Sequence, residues 1–124
     1  MITVVINKSS EYIVGFEIKG HALSREELNS AVGEAYDLVC NSISVLSQSI
    51  LIGLTEVLCF NVNYELNDGF LSIDLRSLSK EELEKAQILL KTFEISLESI
   101  VQSLDQSFGS KKRREYINIL KEEV

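Results

Sequence analysis

Two side chains in this 124-residue chain can act as a nucleophile and its base: Cys40 and His21, the latter being the only histidine. An imidazole within hydrogen-bond reach of a thiol can take its proton and leave a thiolate to attack an acyl carbon. His21 sits in Lys19-Gly20-His21-Ala22, directly after an alternating segment, and Cys40 closes Asp37-Leu38-Val39-Cys40, where a helical pattern begins. The stretch between them starts at one and ends near the other, so one end of a sheet can hold both. If Asp37 caps the helix, Cys40 falls inside its first turn. Unpaired amide hydrogens and the positive end of the helix dipole there favour a thiolate and suit an oxyanion. Asp37 lies three residues before Cys40 and Ser44 four after it, so all three share a helical face, and either helper can orient His21 or bond the thiolate.

The same residues have a second reading. A cysteine beside an apolar helix also serves as a small buried hydrophobe, and a histidine after a strand can be structural. Spacing alone leaves both open. One histidine, two distant cysteines and an aspartate do not form a zinc set, and no metal or cofactor is expected. Cys59, beside Phe60, reads as core. A helix joining the two cysteines would hold them roughly 28 Å apart, far beyond the roughly 7 Å that a disulfide tolerates.

The elements that position the pair follow from periodicity. Residues 2–7 and 12–19 alternate, with Ile2, Val4 and Ile6 on one face and Val14, Phe16 and Ile18 on another, joined by the turn formers Asn7-Lys8-Ser9-Ser10. This predicts a hairpin. Residues 20–36 read as a loop holding a short helix over 24–31, opened by the capping box Ser24-Arg25-Glu26-Glu27. Long loops in compact domains are often functional. From 37 to 58 the apolar positions Val39, Ile43, Leu46, Ile50, Leu54 and Val57 predict a helix. Residues 59–66 alternate, with Phe60, Val62, Tyr64 and Leu66 on one face, and Asn67-Asp68-Gly69 signals a hairpin into a strand over 70–76, with Leu71, Ile73 and Leu75 inward. Ser79-Lys80-Glu81-Glu82 opens a helix to about Gln106, with a stripe through Leu83, Ala86, Leu90, Phe93 and Leu97. That spacing fits a coiled-coil seam or, preferably, packing on a sheet. Gly109 ends it, and residues 116–120 suggest a closing strand. The order β-β-α-β-β-α(-β) predicts an α+β two-layer domain over 1–124, with a mainly antiparallel sheet and two long helices on one face.

Composition narrows the class. With 45% apolar and 25% charged residues the chain is an ordinary globular domain. No apolar run suggests a membrane span, and the N-terminus lacks a signal-peptide pattern, so a cytoplasmic protein is expected. The net charge of −7 argues against direct nucleic-acid binding. The basic run Lys111-Lys112-Arg113-Arg114 reads as a solvated turn.

Gly20-His21-Ala22, followed by Asp37-Leu38-Val39-Cys40 and Ser44, resembles the ribosomal-processing cysteine protease family, Prp. The resemblance implies a catalytic dyad of His21 as general base and Cys40 as nucleophile, supported by Asp37, Ser44 and Gly20. It further implies a homodimer that removes the N-terminal extension of the large-subunit ribosomal protein whose N-terminus approaches the peptidyl-transferase centre. A mobile loop between histidine and cysteine would close on the substrate. Two features depart from the pattern. The interval from His21 to Cys40 is longer than is usual in the family, and Asn41 and Ser42 stand where small apolar residues are common. The rival reading is a non-catalytic, dimeric, ribosome-associated binding module, its interface supplied by the second long helix.

Overall fold

The computed structural model describes residues 1–20 and 31–124, with side chains from Leu38 onward in the second stretch. His21 and the expected helix opening at Ser24 lie outside the described residues. Strands β1 (Ile2–Ser9) and β2 (Tyr12–Lys19) form the first hairpin. Helix α1 (Ala31–Ile52) runs into a π-helical turn (Gly53–Val57), and β3 (Asn63–Asn67) and β4 (Phe70–Asp74) form a second hairpin. Helix α2 (Lys80–Phe108), a short α3 (Ser110–Tyr116) and β5 (Ile117–Glu123) complete the chain. The five strands form one sheet in the order β3-β4-β2-β1-β5, antiparallel throughout except where β5 lies parallel to β1.

Both long helices pack into a single core with the sheet. Val39, Ile43, Ile50 and Leu54 from α1 and the adjoining turn join Ala86, Leu90, Phe93 and Leu97 from α2 and the inward residues of β1, β2 and β4. The α2 stripe is therefore spent on this core rather than on a coiled-coil seam, and the Phe16 and Phe93 ring centroids lie 4.3 Å apart. Ser79 and Glu82 close the capping box at the start of α2, and Gly109 terminates it at φ 84°. At the far edge, Glu94 of α2 takes Lys8 of β1 at 2.7 Å and Lys121 of β5 at 3.6 Å, pinning both strands to the helix.

Several expectations shift. The register between β1 and β2 slips after Asn7, so that Gly15 and Ile13 pair with consecutive residues and Val14 is the extra one. Ile13 joins the core cluster while Val14, also buried, lies outside it, and the Ile13 backbone is clamped by Gln87. Gln87 Oε1 accepts from Ile13 N at 2.8 Å, and Nε2 donates to Ile13 O at 2.9 Å. The third strand starts only at Asn63; Val62 is buried, but Tyr64 and Leu66, expected on the same face, are 55% and 50% exposed. They lie on the sheet's outermost strand, which alternation alone cannot identify. Val57 is also exposed, because the chain leaves α-helical geometry at Gly53. Cys59 is exposed rather than core and takes a left-handed φ of 58°, stopping the turn as glycine often does. The basic run forms part of α3, with Arg113 held by Asp105 at 2.8 Å. The stretch Leu38–Val57 has a mean hydropathy of 1.6 and is long and apolar enough to cross a membrane by those measures alone. Here Val39, Ile43 and Ile50 face the core, and the exposed side mixes Asn41, Ser42, Gln48 and Ser49 with Leu38, Val45 and Ile52.

Candidate active site

The described part of α1 begins at Ala31, so Asp37 lies within the helix and Cys40 is its tenth residue. The expected N-cap at Asp37 is thereby corrected. Ala31, Glu34 and Ala35 are strong helix formers that carry the helix through Gly33, where a loop over 20–36 was expected. The free amides of a helix start belong to its first turn. Cys40 lies beyond them, and the thiolate and oxyanion argument built on that position does not apply.

What the helix does supply is a row. Cys40, Ser44 and Gln48 recur every four residues along one face, and all three line a cleft of about 480 Å³. Gln48 Nε2 donates to Ser44 Oγ at 2.8 Å, fixing that hydroxyl and leaving its hydrogen for donation. Ser47, 2% exposed, turns its hydroxyl to the Ser44 carbonyl at 3.1 Å. Cys40 itself is half-buried, and the two cysteines form no disulfide.

The opposite wall comes from the end of β2 and the β3–β4 hairpin. Ile18, Leu66, Phe70 and Leu71 make it apolar, and Asn67 and Asp68 add polar groups at the tip. Gly20 stands where β2 ends and is tied to that tip, its N–H donating to Gly69 O at 3.0 Å. Gly69 has φ +72°, and a Cβ there would lie 2.6 Å from Gly20 O. Glycine is needed for both the conformation and the approach.

Gly20, Cys40 and Ser44 thus converge on one cleft. Asp37 lies about one turn before Cys40 on the same helix, and His21, outside the described residues, follows Gly20 in the chain. Sequence reasoning missed Gln48 and Gly69. The first was within reach, since extending the Cys40–Ser44 step by four residues finds it. The second carries only a turn signal in the sequence. Among the described residues no cluster of His, Cys, Asp and Glu could hold a metal ion.

Comparison with known proteins gives this geometry a context. No match is found among curated proteins. Similar folds occur in the crystal structure of SMU.848 from Streptococcus mutans, at 20% identity and a TM-score of 0.72, covering 100% of this chain and 99% of that one. The essential ribosomal processing protease Prp from S. aureus, in complex with a substrate peptide, is 18% identical with a TM-score of 0.72, covering 98% and 100%. Its complex with a covalently linked product peptide gives 20% identity and a TM-score of 0.66 over the same shares. The model of the family described as cysteine protease Prp matches residues 1–108. The chain belongs to the Prp cysteine protease family.

Proposed function

We propose that this protein is a cytoplasmic cysteine endopeptidase that removes the N-terminal extension of a large-subunit ribosomal protein, with Cys40 as nucleophile and His21 as general base. The observation that carries this reading is the opening of Cys40 onto a cleft whose far wall includes Gly20, the residue before His21. In the reaction His21 takes the Cys40 proton and the thiolate adds to the scissile carbonyl. The imidazolium then protonates the leaving amine, and water releases the acyl-enzyme. Because Cys40 lies beyond the first helical turn, stabilisation of the oxyanion falls to side-chain donors such as Ser44, oriented by Gln48. Asp37 and Gly20 act as supports, the first through charge and the second through where it delivers the chain. No cofactor or metal takes part in these steps.

The S. aureus Prp complexes support a peptide substrate, and the net charge of −7 suits a basic ribosomal precursor. A homodimer is supported by α1. Leu38, Val45 and Ile52 recur every seven residues and are 68%, 67% and 55% exposed. That stripe replaces α2 as the candidate interface, since the α2 seam is buried. The test is to incubate the protein with its own organism's precursor and read the new N-terminus by mass spectrometry. A precursor that binds but stays uncut would favour the non-catalytic binding module.

A further inference from the structure

Among the described residues the sheet has two edges, and they are built differently. The β5 edge ends in Lys121-Glu122-Glu123, charges that discourage another strand from pairing. The β3 edge, Asn63-Tyr64-Glu65-Leu66-Asn67, carries one charge, and Asn67 Nδ2 holds that carboxylate at 2.8 Å. All five residues are exposed, including the apolar bodies of Tyr64 and Leu66.

The hairpin register fixes which backbone groups are available. Asn67 and Phe70 flank a two-residue turn, so they form a hydrogen-bonded pair, and the pattern alternates from there. Asn63, Glu65 and Asn67 therefore spend their N–H and C=O groups on β4. Those of Tyr64 and Leu66 point outward. The edge is also continuous with the cleft, because Leu66 and Asn67 belong to both. A chain laid along β3 reaches the Cys40 cleft at the hairpin end without changing direction.

We propose that the substrate binds as an extended segment added to the free edge of β3, bonded through the backbone of Tyr64 and Leu66 and delivered by that strand to the cleft. This rests on the peptidase reading and specifies the substrate's conformation: an unfolded or terminal polypeptide stretch, held chiefly through its main chain. A helical or folded site would not fit the edge.

The test is a scan of synthetic precursor peptides, each carrying one backbone N-methyl group, with binding to Cys40→Ala protein followed by fluorescence anisotropy. An added strand turns every second residue toward β3, so affinity should fall about fivefold or more at one or two alternate positions and hold between them. Tyr64→Pro removes only an outward donor, a change edge strands tolerate, and should weaken the unmethylated peptide similarly. Tyr64→Ala, which keeps the N–H, should weaken it less. A scan without alternation overturns the proposal. So does a Tyr64→Pro variant that loses self-association yet binds peptide normally, since the edge then belongs to a second copy. If wild-type protein cuts the precursor but the scan is flat, only the edge proposal falls. If wild-type protein neither binds nor cuts it, the peptidase reading falls as well.

Discussion

The N–H of Gly20 donates to the carbonyl of Gly69 at 3.0 Å, joining the last residue before His21 to the tip of a hairpin nearly fifty residues away. The contact runs both ways, because Gly20 O lies where a Gly69 side chain would have to go. The end of β2 is thus set by β3 and β4 as well as by its own strand. In this way the fold holds one wall of the cleft opposite Cys40.

Substituting these two glycines should have unequal effects. Gly69→Ala forces an L-residue to φ +72° against Gly20 O and should cost about 2 kcal/mol, with loss of cleavage beyond the loss of folded protein. A Cβ on Gly20 meets only Ile2 Cγ1, at 3.5 Å, an ordinary contact. Gly20→Ala should therefore leave the melting temperature nearly unchanged. Thermal denaturation beside single-turnover cleavage separates the two; equal destabilisation would contradict the assignment.

Gln87 predicts the opposite pattern, stability without chemistry. It is 6% exposed and satisfies both backbone groups of Ile13 at the irregularity in β2. Gln87→Leu removes the clamp and should cost about 2 kcal/mol by leaving buried polar groups unpaired. Cleavage per folded molecule should stay at the wild-type level. Urea unfolding with an unchanged midpoint would show that the clamp contributes nothing.

The two thiols offer a contrast in reactivity. Cys59 is exposed and Cys40 is half-buried, so access alone would favour labelling of Cys59. An activated Cys40 reverses that order at low pH, where only a thiol of lowered pKa is ionised. Iodoacetamide at pH 6 should modify Cys40 first, by peptide mapping. Preferential labelling of Cys59 at that pH would count against an activated nucleophile.

Acid stability should depend in part on Asp74. Its hydrogen bonds from the Arg76 side chain, with Nε and Nη2 each at 3.1 Å, hold its carboxyl below the ordinary value of 3.8. A depressed carboxyl stabilises the fold above its unfolded-state pKa, and that contribution is lost as pH falls through the folded-state value. Asp74→Asn should thus reduce the loss of stability on acidification below about pH 4, while lowering stability at neutral pH. Denaturation curves at pH 3 and pH 7 check both signs.

Much of this was written locally in the chain. The Ser79–Glu82 capping box, the parity of Ile2, Val4 and Ile6, and the Asp68-Gly69 turn each specify their own geometry, and the structure follows them. The misplacements share a cause, which is that the deciding partner lies far away in sequence. Alternation in residues 59–66 puts Tyr64 and Leu66 on one face with Val62, but it cannot report that β3 is an edge. Gly33 looks like a break until neighbouring helix formers outweigh it. In the site, the Cys40–Ser44 face was legible because it is helical spacing. The role of Gly69 was not, because it exists only through its approach to Gly20.

The most direct test compares Cys40→Ala with wild-type protein on the ribosomal precursor of the same organism, reading the product N-terminus by mass spectrometry. The variant should fold with an unchanged circular dichroism spectrum, bind the precursor, and cut it at least about a thousandfold more slowly. Cleavage at the wild-type rate by Cys40→Ala would contradict the account.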